Sequence, residues 1–131
     1  MRNHVILFGN VGKEPEYREF GDGNGVLNFS VATRESWLKD GEWQERTEWH
    51  KVAVKSPKAE RLHGKLKKGS EVTVHGKLAT REYQKHDEKR YITEIVVTKS
   101  AAHSVFIHGK REPQERQEHS TSSGGFDDLP F

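Results

Sequence analysis

Apolar and polar residues alternate along several short segments of the chain, which turn-forming residues separate. In residues 26–33, Leu27, Phe29 and Val31 fall on one face, whereas Asn28, Ser30 and Ala32 fall on the other. Because successive side chains of a strand point to opposite faces, this pattern predicts a strand that buries one face. The other segments predicted to be strands are residues 4–10, 47–55, 71–83, 91–97 and, as a last short strand, 100–109.

One segment has a helical period instead. In residues 56–69 the apolar side chains recur at helical spacing, Ser56 is a candidate N-cap and Pro57 suits the first helical position. Gly69 follows two lysines and is a suitable helix stop. A short helix is therefore predicted between the third and fourth strands.

The predicted elements follow an order typical of one fold. Turn-forming residues at 21–25 join two strands, and the polar residues 84–89 form a hairpin loop. Three strands, a helix and two more strands make an all-β chain with one short helix, in the order of an OB-fold, a five-stranded Greek-key barrel. The predicted barrel domain spans residues 1–108.

The composition changes after the barrel. Residues 109–125 contain no Val, Ile, Leu, Met, Phe, Trp or Tyr, and they are predicted to form a disordered linker. The last six residues, 126–131, combine apolar and acidic side chains and are predicted to form a separate tip.

Charge is distributed unevenly. Residues 1–108 carry 19 basic and 15 acidic side chains, whereas residues 109–131 carry three basic and five acidic ones. A basic body suggests a polyanionic ligand, and ordinary solvated surface charge is the alternative. The chain has no cysteine, which excludes disulfides and cysteine-based metal sites. No signal peptide or membrane span is expected, so a cytoplasmic, nucleoid-associated protein is predicted.

The third predicted strand, residues 47–55, carries the most specific candidate chemistry. Alternation places its valines on the core face and Trp49, Lys51 and Lys55 on the outer face. An exposed indole beside lysines suits a base that stacks on the ring while ammonium groups hold phosphates. The alternative is a tryptophan packed under a neighbouring loop.

Two further aromatic residues favour the first interpretation. Trp37 lies near the end of the second strand, and Tyr83 shares a face with Arg81 at strand spacing. Together with Trp49, these residues predict a groove for single-stranded nucleic acid. Trp43 either contributes to this groove or packs in a loop.

Metal and catalytic sites have little support. The eight histidines show neither HxxxH nor HExxH spacing, and no phosphate-binding glycine loop occurs. His50 falls on the inward-facing side of its strand and is predicted to be a structural or interface residue rather than a metal ligand. No enzyme activity and no cofactor are expected.

The first strand is apolar on both faces. Val5, Leu7 and Val11 share one face, and Ile6 and Phe8 share the other. A second subunit is the expected cover for Ile6 and Phe8, and an additional hairpin of the same chain is the alternative.

Several runs of residues form a recognisable set, in this order: HVILFGNVGKEPEYR, ATRESW, TEWHKV, LKKGSEVTVHGKL, RYITEIVV and the terminal DDLPF. These runs resemble those of bacterial-type single-stranded DNA-binding proteins, over roughly residues 3–105 and the last six residues. The resemblance implies an OB-fold protomer of a homotetramer that binds single-stranded DNA without sequence preference.

The resemblance also implies roles for individual residues. Aromatic rings stack on bases at the positions of Trp37, Trp49 and Tyr83, the last of which is more often tryptophan in the family. Lys55 stands where the family usually has a stacking phenylalanine, which predicts a steeper salt dependence, and His50 matches a subunit-interface position. The implied phosphate contacts are Arg18, Lys51, Lys68 and Arg81, to which we add Lys55.

The tip is implied to recruit proteins of replication, recombination and repair. Its carboxylates offer charge to a basic rim, and its apolar residues offer a plug for a pocket. The tip residues are Phe126, Asp127, Asp128, Leu129, Pro130 and Phe131. The alternative functions are an OB-fold adaptor of a primosome-like complex and an RNA chaperone of the cold-shock type, and the tip could instead merely aid solubility.

Overall fold

The computed structural model describes residues 2–21 and 24–110. Within these ranges the chain forms seven strands and one short helix. The elements are β1 (Val5–Val11), β2 (Glu16–Gly21), β3 (Asn24–Lys39), β4 (Glu42–Val54), α1 (Ala59–Lys65), β5 (Ser70–Lys85), β6 (Glu88–Val97) and β7 (Ser104–Lys110). No helix in the described ranges has the length and apolar character needed to cross a membrane.

Five of the strands close into a barrel. β1 pairs with both β3 and β5, β3 pairs with β4, and β5 pairs with β6, all antiparallel. β4 and β6 run parallel and complete the ring. This closed arrangement of five strands confirms the predicted OB-fold.

Two strands lie outside this ring. β7, the predicted last strand, pairs with β5 and continues to Lys110, two residues into the segment predicted as linker. β2 pairs with β3 and was not predicted. Its sequence, EYREFG, gave no alternating signal because only Tyr17 packs against the core from this strand.

The core consists of the inward-facing side chains of the barrel strands. The predicted faces of β3 and β4 are confirmed: Leu27 and Val31 are fully buried, as is Val54, and Val52 is nearly so. Burying a side chain of this size contributes about 1.5–3 kcal/mol relative to leaving it exposed. The outer faces of the same strands are thereby free to carry a binding surface.

The helix is shorter than the predicted segment. Lys58, not Ser56, occupies the N-cap position, and the Ser56 hydroxyl accepts a hydrogen bond from the Lys58 amide at 3.1 Å. Ser56 therefore forms the turn before the helix. At the other end, Leu66 is already extended and buried, so Gly69, with a φ of +89°, belongs to the turn that enters β5.

Two long hairpins extend from the barrel. The β3–β4 hairpin turns at Asp40 and Gly41, and the β5–β6 hairpin turns at His86 and Asp87. All four residues have positive φ, as a two-residue hairpin turn of type I′ requires. The hairpins replace the predicted loops and carry candidate aromatic residues outward.

Candidate nucleic-acid interface

The register of β4 fixes which side chains face outward. Val52 and Val54 point into the core, so Trp49, Lys51 and Lys55 lie on the opposite face. The side chain of Trp49 is 60% exposed, and both lysines are exposed. The alternative in which Trp49 is packed beneath a loop does not hold among the described residues.

One neighbour of the Trp49 ring is a glycine backbone. The ring lies against the backbone of Gly12, which directly follows β1. The amide of Gly12 donates a hydrogen bond to the carbonyl oxygen of Ser30 at 3.0 Å. A side chain at Gly12 would overlap the ring. The backbone there therefore supports the indole from one side and leaves most of its surface to solvent.

Arg81 and Tyr83 lie on the outer face of β5. Arg81 Nε donates to the Glu94 carboxylate on β6 at 2.9 Å. The Glu94 side chain is only 6% exposed, whereas the Arg81 side chain is 54% exposed. A buried carboxylate needs such a partner, so Glu94 holds the guanidinium in place while much of the arginine stays accessible. Tyr83 is exposed nearer the hairpin turn.

Trp37 lies on a different face. It pairs with Gln44 across the β3–β4 hairpin, and strand parity places it on the side of His50, opposite Trp49. This side also carries an exposed ion pair in which the Arg46 guanidinium donates to Glu48 at 2.7 Å and lowers the pKa of that carboxyl. The structure therefore brings Trp49 together with lysines and does not place Trp37 beside it.

An open groove of about 520 Å³ lies between β2, the end of β4 and the β5–β6 pair. Four cationic side chains and one carboxylate line it, so its charge is predominantly positive. Its predicted contributors are Arg18, Lys55 and Arg81. Sequence reasoning missed Phe20 and Lys99, which also line this groove. Lys68 is exposed in the turn between α1 and β5 and does not line the groove.

His50 is half-buried, and its Nε2 lies 2.9 Å from the Thr33 hydroxyl, at hydrogen-bonding distance. This contact is consistent with the predicted structural role. Among residues 2–21 and 24–110, no three histidine, cysteine or acidic side chains are grouped so that they could hold a metal ion.

Ile6 and Phe8 are 58% and 48% exposed. β7, which pairs with β5 beside them, adds the exposed Phe106 to the same outer face rather than covering it. Within the described ranges, therefore, no hairpin of the same chain covers Ile6 and Phe8. The predicted tip, residues 126–131, lies outside the described residues.

Two comparisons place this geometry among known proteins. The model of the family described as "Single-strand binding protein family" matches residues 2–103. The fold is similar to a solved structure described as the Plasmodium falciparum SSB complex with ssDNA, with a TM-score of 0.74 and 32% sequence identity. The match covers 82% of this chain and 95% of that chain.

Proposed function

Because the chain belongs to the single-strand binding protein family, we propose that it coats single-stranded DNA without sequence preference and protects it. Proteins of this family bind DNA and are not enzymes. The DNA lies on the outer face of the barrel, which the core residues leave free.

The observation that carries this proposal is the exposed indole of Trp49 on the same face as the exposed Lys51 and, just past the end of β4, Lys55. A base stacked on an aromatic ring contributes about 1–3 kcal/mol, whatever its identity, because every base has a π-face. The ammonium groups meet phosphates, which carry no sequence information. Stacking and charge together give tight but non-selective binding.

The remaining residues extend this surface. Arg18 and Arg81 contact phosphates from the walls of the groove, and Tyr83 stacks on a base near the β5–β6 turn. Trp37 meets a different stretch of the strand, since it lies on the opposite face of the β3–β4 hairpin from Trp49. A strand that touches both must pass around the β3–β4 hairpin. Lys68 contributes a phosphate contact away from the groove.

The protein assembles as a homotetramer. Ile6 and Phe8 are large, apolar and exposed, which favours burial against another subunit. His50 contributes at a subunit interface. The functional units are the barrel, predicted over residues 1–108 and extended by β7 to Lys110, a linker that ends at residue 125 and the tip of residues 126–131.

The tip recruits proteins of replication, recombination and repair in the cytoplasm, at the nucleoid. Asp127 and Asp128 supply charge for a basic rim, and Leu129, Pro130 and Phe131 supply the apolar plug. Deleting residues 126–131 should abolish pull-down of such proteins while oligo-dT affinity stays equal or rises slightly, because an acidic competitor is removed.

The DNA-binding proposal is tested by fluorescence anisotropy with labelled oligo-dT and a labelled duplex of the same length. The expected result is tight binding of the single strand, weak binding of the duplex, and a loss of about five-fold or more in the Trp49→Ala variant. Equal affinity for the two DNAs would refute it.

A further inference from the structure

Phe20, on β2, exposes its ring in the basic groove. It is 63% exposed and lines the same groove as Arg18 and Lys55. Large apolar side chains at the surface of a folded chain are unremarkable when they are isolated. Phe20 is not an isolated surface residue of this kind, because cationic side chains from three other segments line the same groove.

The backbone at Phe20 is irregular. The pairing of β2 with β3 shifts register between Glu19 and Gly21, so Phe20 has no Cα partner on β3. β2 is paired on this one side only among the described strands. Such irregularities redirect a side chain and are frequent beside binding sites.

The fold does not need this ring. Tyr17 is the β2 residue that packs against the core, where its ring also stacks on His63 at a centroid distance of 5.5 Å. Phe20 is absent from the core cluster. Its position in the groove therefore has no evident packing role.

We propose that Phe20 is a base-stacking residue and that the groove is a nucleotide subsite of its own. A base lies on the phenyl ring while Arg18, Lys55 and Lys99 hold the adjoining phosphates. This inference rests on the proposed single-stranded DNA binding, which it extends to residues that sequence analysis did not identify.

The groove and Trp49 accept different nucleotides of one strand. Lys55 directly follows β4 and is six residues beyond Trp49, a distance of about 20 Å at the rise of an extended chain. Lys51 lies between them on the same face, where it meets an intervening phosphate. A single strand that runs along β4 therefore reaches both aromatic rings.

The test measures binding of labelled oligo-dT of about 16 nucleotides, the upper site size for one such barrel, over a range of salt concentrations. Phe20→Ala should weaken binding about five- to 140-fold. Because phenylalanine is uncharged, the slope of log K against log salt should stay at the wild-type value. Phe20→Leu, which keeps apolar bulk without an aromatic face, should also bind weakly, and Phe20→Trp should bind at least as tightly as wild type.

Thermal unfolding serves as the control for folding. The ring is exposed, so all three variants should unfold within a few degrees of wild type. Binding by Phe20→Ala within two-fold of wild type, or full binding by Phe20→Leu, would overturn the proposal. Photocrosslinking of wild-type protein to oligonucleotides that contain 5-iodouracil gives an independent readout: a crosslink at Phe20 supports it, and crosslinks at Trp49 but none at Phe20 overturn it.

The same binding measurements distinguish the loss of the Phe20 subsite from the absence of DNA binding altogether. If Trp49→Ala weakens binding and Phe20→Ala does not, the subsite is refuted and DNA binding stands. If wild-type protein does not bind oligo-dT, the proposed function itself fails, and the subsite with it.

Discussion

The indole ring of Trp49 lies against the backbone of Gly12 so closely that a β-carbon at Gly12 would overlap the outer edge of the ring. The two residues belong to separate segments, one just after β1 and the other on β4. Glycine at position 12 therefore lets the ring approach the barrel closely, while Trp49 remains 60% exposed.

This contact predicts the effect of Gly12→Ala. The added methyl group meets the far end of a side chain, so the ring swings away at little cost in stability. We expect altered tryptophan emission and a few-fold loss of oligo-dT affinity.

Gly64→Ala is the matched control, because a β-carbon on that helical glycine meets no atom within 4 Å. It should leave affinity unchanged and stabilise the protein by up to about 1 kcal/mol. A Gly12→Ala variant with wild-type affinity and emission would contradict the role of this contact.

Substituting Lys55 should change how steeply the affinity for oligo-dT depends on salt concentration. Lys55→Phe removes one phosphate contact, so the slope of log K against log salt should fall in magnitude by about 0.7. The new ring can stack, so affinity at high salt should rise. The measurement is a salt titration of oligo-dT affinity, with Lys65→Phe on the helix as control. Equal slopes for wild type and Lys55→Phe would show that Lys55 meets no phosphate.

The exposed apolar face of β1 predicts the oligomeric state. Replacing Ile6 and Phe8 with Asp places two charges on the surface that we propose a second subunit covers, so the mass measured by multi-angle light scattering should fall. Leu38→Asp, at an equally exposed leucine on the β3–β4 hairpin, should leave the mass unchanged. An unaltered mass in the double variant would rule out this surface as an interface.

We expect the protein to lose stability at acidic pH because of His103. The residue is buried, and its Nδ1 accepts a hydrogen bond from the Thr98 amide at 3.0 Å. Burial, together with the nearby His4 and Lys77, lowers the pKa of His103. In the unfolded chain the pKa is about 6.5. Neutral His103 therefore makes its full contribution to the free energy of unfolding above about pH 6.5. This contribution declines as the pH falls below about 6.5, because the unfolded chain then binds a proton at His103 more readily than the folded chain does.

Urea unfolding at pH 7.5 and pH 5.5 measures this effect. The midpoint of wild type should be lower at pH 5.5, and His103→Asn, which keeps an acceptor that does not titrate, should reduce the difference. His86→Asn is the control, because His86 is exposed in a hairpin turn whose positive φ asparagine tolerates. An undiminished pH difference in His103→Asn would contradict the assignment.

The barrel was predictable because its strands bury one face. Leu27, Phe29 and Val31 repeat every second residue, and this period alone identifies β3. The pairing of Arg81 with Glu94 was not predicted, because it depends on the register of the β5–β6 hairpin. That register follows from the two-residue turn at His86 and Asp87, where the sequence indicated a longer loop.

The sequence alone could have predicted that Trp37 and Trp49 lie on opposite faces of the β3–β4 hairpin. Continuing the alternation of β3 past residue 33 places Trp37 on the side of Val31, away from the outer face of Trp49. Phe20 was not predictable in the same way. Its exposure depends on an irregular pairing in an edge strand, for which EYREFG carries no periodic signal.

Titration of the wild-type protein with oligo-dT, followed by intrinsic tryptophan emission, measures directly whether bases stack on the exposed indole of Trp49. Bases that stack on Trp49 should quench the emission strongly and reach saturation at a fixed ratio of nucleotides to protein. Emission that stays constant while oligo-dT is added in excess would show that Trp49 does not stack on bases.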